Sequence, residues 1–301
     1  MSAKLEITTG PAPRNLLASA SFEVTPKTWH KFRTSQPEAA SGIAAGTKVF
    51  IAHIAGTPID QMVGTARALR MLGLEPVPHL PARLIEDGPH LHDILSAYRG
   101  EAGVSSALVI AGGVKAPAGA FASSMDLMAT GMFDRLGFAE IVFAGHPEGS
   151  RDIDPDGGTA QANAALRWKQ DWRNRSGMRA ALLTQFLFAS APALDWARRQ
   201  RDAGVDLPIT IGLAGPTRLA ELIRYGISCG VGPSLAVLQR RAPDFRKFLR
   251  PITPEDIAAD LAAAADPTGA PLIAGVHIFP FGGLADFLDW QAKAISSDPA
   301  R

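Results

Sequence analysis

The chain has 301 residues, 47% of them hydrophobic, and 30 basic against 29 acidic side chains for a net charge of +1. That is enough for a large core and argues against a nucleic-acid or membrane-surface partner. Cys229 is the single cysteine, which excludes an internal disulfide framework; with no apolar signal core near the N-terminus and no run close to the ~20 apolar residues that span a bilayer, a soluble cytoplasmic protein is expected.

Eight short apolar runs recur along the chain: Leu17–Val24, Lys48–Ile54, Glu75–Leu80, Ala107–Ala111, Glu140–Ala144, Ala181–Phe188, Pro208–Leu213 and Leu272–Phe279. Each has strand length, and near-continuous apolarity suits parallel strands covered on both faces. The first run carries a lone carboxylate, Glu23, and breaks at Pro26. Thr57-Pro58 reads as an N-cap followed by a first-turn proline, with Ile59, Met62, Val63, Ala66 and Leu69 on one face and Gly73 as the stop. Further helices are predicted over 120–136, 159–173, 190–203, 216–225 and 283–295, with another opened by Thr253-Pro254-Glu255-Asp256. The stretch 214–250 is interrupted by Gly230, Gly232 and Pro233. Strands alternating with helices in this way predict a single (β/α)8 TIM barrel over 1–301, with residues 1–16 as an N-terminal extension. An open doubly wound sheet is the competitor, but no strand is followed by G-x-G-x-x-G.

In such a barrel, function gathers at the C-terminal ends of the strands. Those ends carry Glu23, His53, His79, Gly112-Gly113, His146 with Glu148 and Ser150, Thr184-Gln185, and His277 before the Phe279–Gly283 turn. Glu23 could instead be a structural ion pair with a barrel-mouth Lys or Arg, the less favoured reading, and His79 and His277 could be hydrogen-bonded core histidines. Paired glycines serve a tight turn or the close approach of a ligand. Gln185 interrupts an apolar strand, so a buried amide is expected there, in need of partners that a heteroaromatic substrate could supply. His90-x-His92-Asp93 has the look of a metal trio, but it follows Gly88-Pro89 and reads as a solvated loop. The polar segment Arg151–Gly158 reads as a loop over one mouth of the barrel.

Taken in order, Ser21-Phe22-Glu23, Pro78-His79-Leu80, His146-Pro147-Glu148, Ala160-Gln161-Ala162, Thr184-Gln185-Phe186-Leu187-Phe188 and Gly212-Leu213 resemble the motifs of the methylenetetrahydrofolate reductase family. The likeness runs over roughly residues 17–290 and is to the short, bacterial-type catalytic barrel. It implies FAD held without a Rossmann unit, NADH or NADPH as reductant, and interconversion of 5,10-methylenetetrahydrofolate and 5-methyltetrahydrofolate. It assigns Glu23 as general acid for ring opening and Gln185 as the amide that grips the pterin. By position, Ala52, His53, His79, Ala111, Gly112, Gly113, His146, Ser150, Asn163, Lys169 and Gln170 fall on the cofactor side. Leu219 and Phe279 join Glu23 and Gln185 on the folate side.

Several positions depart from the family. Ala111-Gly112-Gly113 stands where Arg-Gly-Asp is usual, His146 replaces a tyrosine, Ser150 a histidine and Ala52 a threonine. Losing a carboxylate beside a flavin would stabilise the reduced anion and raise its potential, which favours the methyl-oxidising direction. Two alternatives stand beside this reading: a flavin-free reductase with direct hydride transfer from NAD(P)H, and a non-redox folate-binding or methyl-transfer partner. The apolar helices could support a homo-oligomer, but no interface is legible.

Overall fold

The computed structural model describes residues 13–218, 221–224, 254–281 and 283–296. Eight strands close into a parallel barrel in chain order: β1 (Ser21–Val24), β2 (Lys48–Ile51), β3 (Glu75–Pro81), β4 (Ser106–Ile110), β5 (Glu140–Gly145), β6 (Arg179–Leu187), β7 (Ile209–Ala214) and β8 (Gly275–Phe279). This is the expected (β/α)8 architecture. By contact the chain divides into two compact units, residues 21–183 and residues 1–20 with 184–301. No described helix is long and apolar enough to cross a membrane.

In the unit 21–183, Phe50, Val77, Leu108, Val142 and Leu183 form one buried cluster. The register pairs Phe50 with Val77 and Leu108 with Val142, so the packing follows the ladder. At the opposite, N-terminal ends of the strands, Lys48 Nζ of β2 meets Glu140 Oε2 of β5 at 2.7 Å, and Ser106 Oγ donates to the same carboxylate at 3.3 Å. In the other unit, Phe186, Phe188, Ala214, Leu222 and Phe279 pack together with Phe281 against them.

Several elements differ from their sequence-based expectation, each for a local reason. The first apolar run is split: Leu16 and Leu17 are the buried face of α1 (Pro13–Ala18), and the strand begins only at Ser21. Pro26 opens α2 (Pro26–Ser35), because Thr25 Oγ1 accepts the Thr28 N–H at 3.1 Å while Thr28 Oγ1 accepts the Thr25 N–H at 2.8 Å. That reciprocal cap, with proline in the first turn, fixes the exit from β1. After α3 (Pro37–Ser41), α4 runs Ile59–Met71 without any side-chain cap from Thr57, since Pro58 stays extended at φ −61° and ψ 142°. His90, His92 and Asp93 lie on α5 (Gly88–Ala102) rather than in a loop. Asp87 starts that helix by accepting the His90 N–H at 2.8 Å, and Gly103 ends it in the left-handed region at φ 57°. The predicted 120–136 helix is two short ones, α6 (Ser124–Ala129) and α7 (Met132–Arg135), separated by Gly131 at φ 66°. The remaining described helices are α8 (Ala160–Ser176), α9 (Ser190–Asp202), α10 (Glu255–Ala263) and α11 (Leu284–Ser296), plus a helical turn over 221–224. The interruptions at Gly230, Gly232 and Pro233, the Thr253 cap and Cys229 lie outside the described residues.

Candidate active site

Glu23 is the penultimate residue of β1 and pairs in register with Phe50, a member of the buried cluster. His79 lies two residues beyond Val77 on β3, and a strand's side chains alternate, so it shares the cluster-facing side. Its ring meets Phe50 edge-on at 6.2 Å. Glu23 Oε2 and His79 Nε2 stand 3.3 Å apart, with the side chains 23% and 11% exposed. Burial pushes the Glu23 carboxyl up to about 8 and the His79 imidazole down to about 3, the latter helped by the charge of His53. At neutral pH the pair is therefore a protonated acid beside a neutral ring, not an ion pair. His53, half-buried after β2, contacts the Thr57 carbonyl through Nε2 at 3.1 Å and is itself held below the usual histidine value by burial. Ala52 sits next to it, its N–H donated to Val24 at 2.8 Å.

A second polar group forms where β5 leads into α8. Lys169 is 5% exposed; Nζ donates to the Ala144 carbonyl at 3.3 Å and lies 5.3 Å from the Phe143 ring centroid. Burial brings its ammonium down to about 8. His146 is held down to about 4, first by burial and then by Lys169, with Asp152 opposing. Asp154, 2% exposed, accepts the N–H groups of Gln161 and Ala162 at 2.8 and 3.0 Å, so its carboxylate occupies the positive end of the helix dipole. Arg83 grips Asp152 through both Nη atoms, at 3.1 and 2.9 Å, while donating to the Val114 and Ala122 carbonyls. One guanidinium thus ties together the loops after β3, β4 and β5. Ser150 uses its carbonyl to accept from Ile153 and Asp154, Asn163 donates to Thr159 at 3.3 Å, and Gln170 donates to Asn174 at 3.2 Å.

The Ala111-Gly112-Gly113 turn has a packing cause. Ala111 accepts the Arg83 N–H, and Gly112 has φ 97° with any added Cβ only 2.8 Å from Pro81 Cβ. Gly113 is exposed, with open space around an added Cβ. Gln185 is not the buried amide expected: it is exposed, and Oε1 accepts the Phe186 N–H at 3.1 Å. Its neighbour Thr184 is the buried polar group, accepting the Gly212 N–H at 2.9 Å. Phe279 packs edge-on to Phe186 and to the fully buried His277. Leu219 lies outside the described residues.

Sequence reasoning missed Arg83 and Asp154. Arg83 follows β3 closely, so a search at strand ends could find it. Asp154 stands six residues before Ala160, far from any cap spacing, and only the folded loop brings it to the helix. Its position bears on FAD. A flavin diphosphate brings two negative charges and needs free donors. At α8 the Gln161 and Ala162 amides are taken by Asp154, the Arg83 fork by Asp152, and Gln170 by Asn174. As arranged, these residues do not fit the diphosphate.

No protein-family profile matches the chain. Among solved structures, a D-hydantoinase crystal structure aligns over 61% of this chain and 42% of its own, at 13% identity and a TM-score of 0.33. The chain thus covers less than half of that protein, and a likeness at this level carries no argument about activity.

Proposed function

We propose that the protein interconverts 5,10-methylenetetrahydrofolate and 5-methyltetrahydrofolate, as its motifs suggest, with Glu23 as the proton carrier. The observation that supports this is the Glu23 carboxyl, kept protonated at neutral pH on the cluster-facing side of β1. The methylene carbon bridges two nitrogens in a five-membered ring. Opening the ring requires a proton on the departing nitrogen and leaves an iminium carbon that accepts hydride. A carboxyl that still holds its proton at pH 7 is poised for that transfer. In reverse, loss of hydride from the methyl group is followed by ring closure, and Glu23 as carboxylate takes the proton back. Phe50, in register with Glu23, and His79 beside it take water away from the carboxyl, and that burial raises its affinity for protons.

For the hydride source, the capped α8 favours the second reading, direct transfer from NADH or NADPH without a flavin. Asp154 places a carboxylate where the family's flavin phosphate would need amides, so the diphosphate of NADH or NADPH would be held elsewhere. The absorption spectrum of the purified protein, with and without added FAD, tests this: no flavin band and undiminished activity after exhaustive dialysis are expected. Stoichiometric flavin would return the assignment to FAD. A reduced nicotinamide and a folate are both cytoplasmic metabolites, so we place the protein there. Glu23→Gln tests the reaction itself. Turnover should be lost while tetrahydrofolate binding persists; unchanged turnover would favour the non-redox folate-binding reading.

A further inference from the structure

We propose that His79 is the proton relay that reloads Glu23 after each turnover in the reductive direction. This rests on the reading of Glu23 as general acid. Each ring opening removes one proton from a carboxyl whose remaining open face the bound folate would cover, and the proton must be returned before the next cycle. His79 Nε2 is buried and makes no hydrogen bond, and Glu23 Oε2 is 3.3 Å away. A buried nitrogen left without a partner is costly unless the arrangement serves another state of the site. That state is the carboxylate left by proton donation, which turns the contact into an ion pair once the ring is protonated. His53, half-buried on the β2–α4 loop next to the exposed Ile54, is near enough for its charge to be felt at His79.

The protons balance across one cycle. The Glu23 O–H bond breaks as the nitrogen–hydrogen bond of the opened folate forms. With His79 in its Nε2–H tautomer, Nδ1 takes a proton from water on the His53 side and Nε2–H passes its proton to Glu23 Oε2. The ring is neutral before and after, and exchange with water restores the tautomer. Beside the pair, Phe50 of β2 pairs in register with Glu23 and meets the His79 ring edge-on, and the charge of His53 is felt at His79. The return runs downhill at pH 7, because Glu23 ionises only near 8.

The test separates the first turnover from those that follow. In rapid-mixing experiments with NAD(P)H and methylenetetrahydrofolate, His79→Gln keeps a polar group beside Glu23 but cannot carry a proton. One product equivalent should form at a rate within about threefold of wild type, and later turnovers should slow at least tenfold. His79→Ala should show the same burst, with added imidazole restoring the later turnovers. Equal slowing of first and later turnovers, or no burst and no rescue by imidazole, would overturn the relay. Loss of the burst in Glu23→Gln is expected; its survival would instead sink the general-acid reading on which the relay stands.

Discussion

Glu23 shows how one side chain's chemistry is set by where its strand ends. The residue is one position from the end of β1, close enough to the mouth to keep 23% of its side chain accessible, yet backed by Phe50 and His79. No cation is needed to explain its behaviour, because burial alone raises the carboxyl to about 8. Glu23→Gln preserves shape and removes the proton, so kcat should fall roughly 10²–10⁴-fold, the usual worth of a general acid, with folate affinity changed little. Steady-state kinetics beside equilibrium binding would check both. The pH dependence has a definite sign. In the proposed reaction reduction needs the protonated acid, so its rate should be level below about pH 7 and fall as pH rises through about 8. Oxidation of the methyl group needs the carboxylate and should rise over the same interval. Parallel profiles in the two directions would remove Glu23 from the proton transfer.

At the level of elements, the anchoring of α8 decides what the β5 side of the barrel can hold. The helix has no side-chain cap at Thr159, and Asp154 supplies one from the preceding loop to the Gln161 and Ala162 amides of the first turn. Asp154→Ala should therefore fray the first turn and destabilise the protein by about 1–2 kcal/mol, the range of a lost N-cap, which thermal and urea unfolding would measure. Arg83→Ala should loosen the same region by freeing Asp152 and the carbonyls of Val114 and Ala122. Limited proteolysis should then cut within residues 112–123 and 150–158 faster than in wild type. Elements whose pattern is local were legible in the sequence: the apolar strands, the face of α4, the strand-end positions of Glu23 and His79. Boundaries set by reciprocal contacts were not. Thr25 and Thr28 turn a proline break into a helix start, and Asp87 turns an apparent loop around His90 into α5. Gln185 misled because an amide inside an apolar strand looks buried; it shares the alternation of the buried Leu183 and Leu187, yet near the end of β6 its own side chain is exposed. Asp154 was illegible for the opposite reason, since nothing in its spacing marks the helix that it caps.

Across the whole molecule, buried ionisable groups make stability depend on pH in opposing ways, and one substitution can isolate a single limb. The Glu23 pKa is raised on folding from an ordinary 4.5 to about 8. Its contribution is full below pH 4.5, declines as pH rises while the unfolded chain ionises and the folded one does not, and levels off above 8. His79 runs the other way: held down to about 3 from 6.5, it favours the fold above pH 6.5 and loses that as pH falls toward 3. His146, held down to about 4, adds to the same acid limb. Lys169, held down to about 8 from 10.5, favours the fold fully only above 10.5 and less as pH drops toward 8. Glu23→Gln removes only the limb between 4.5 and 8. Relative to wild type, the variant should gain on the order of 3 kcal/mol between pH 4.5 and pH 8.5, allowing for the part of the side chain that stays accessible. Urea unfolding at the two pH values measures that gain directly, whatever constant offset the amide introduces. A difference between variant and wild type that is the same at both pH values would mean that Glu23 ionises normally in the folded protein. If the gain is found together with loss of turnover, the acid is held protonated at a cost in stability above pH 4.5, and the fold tolerates that cost at the strand end where the proposed reaction needs a proton.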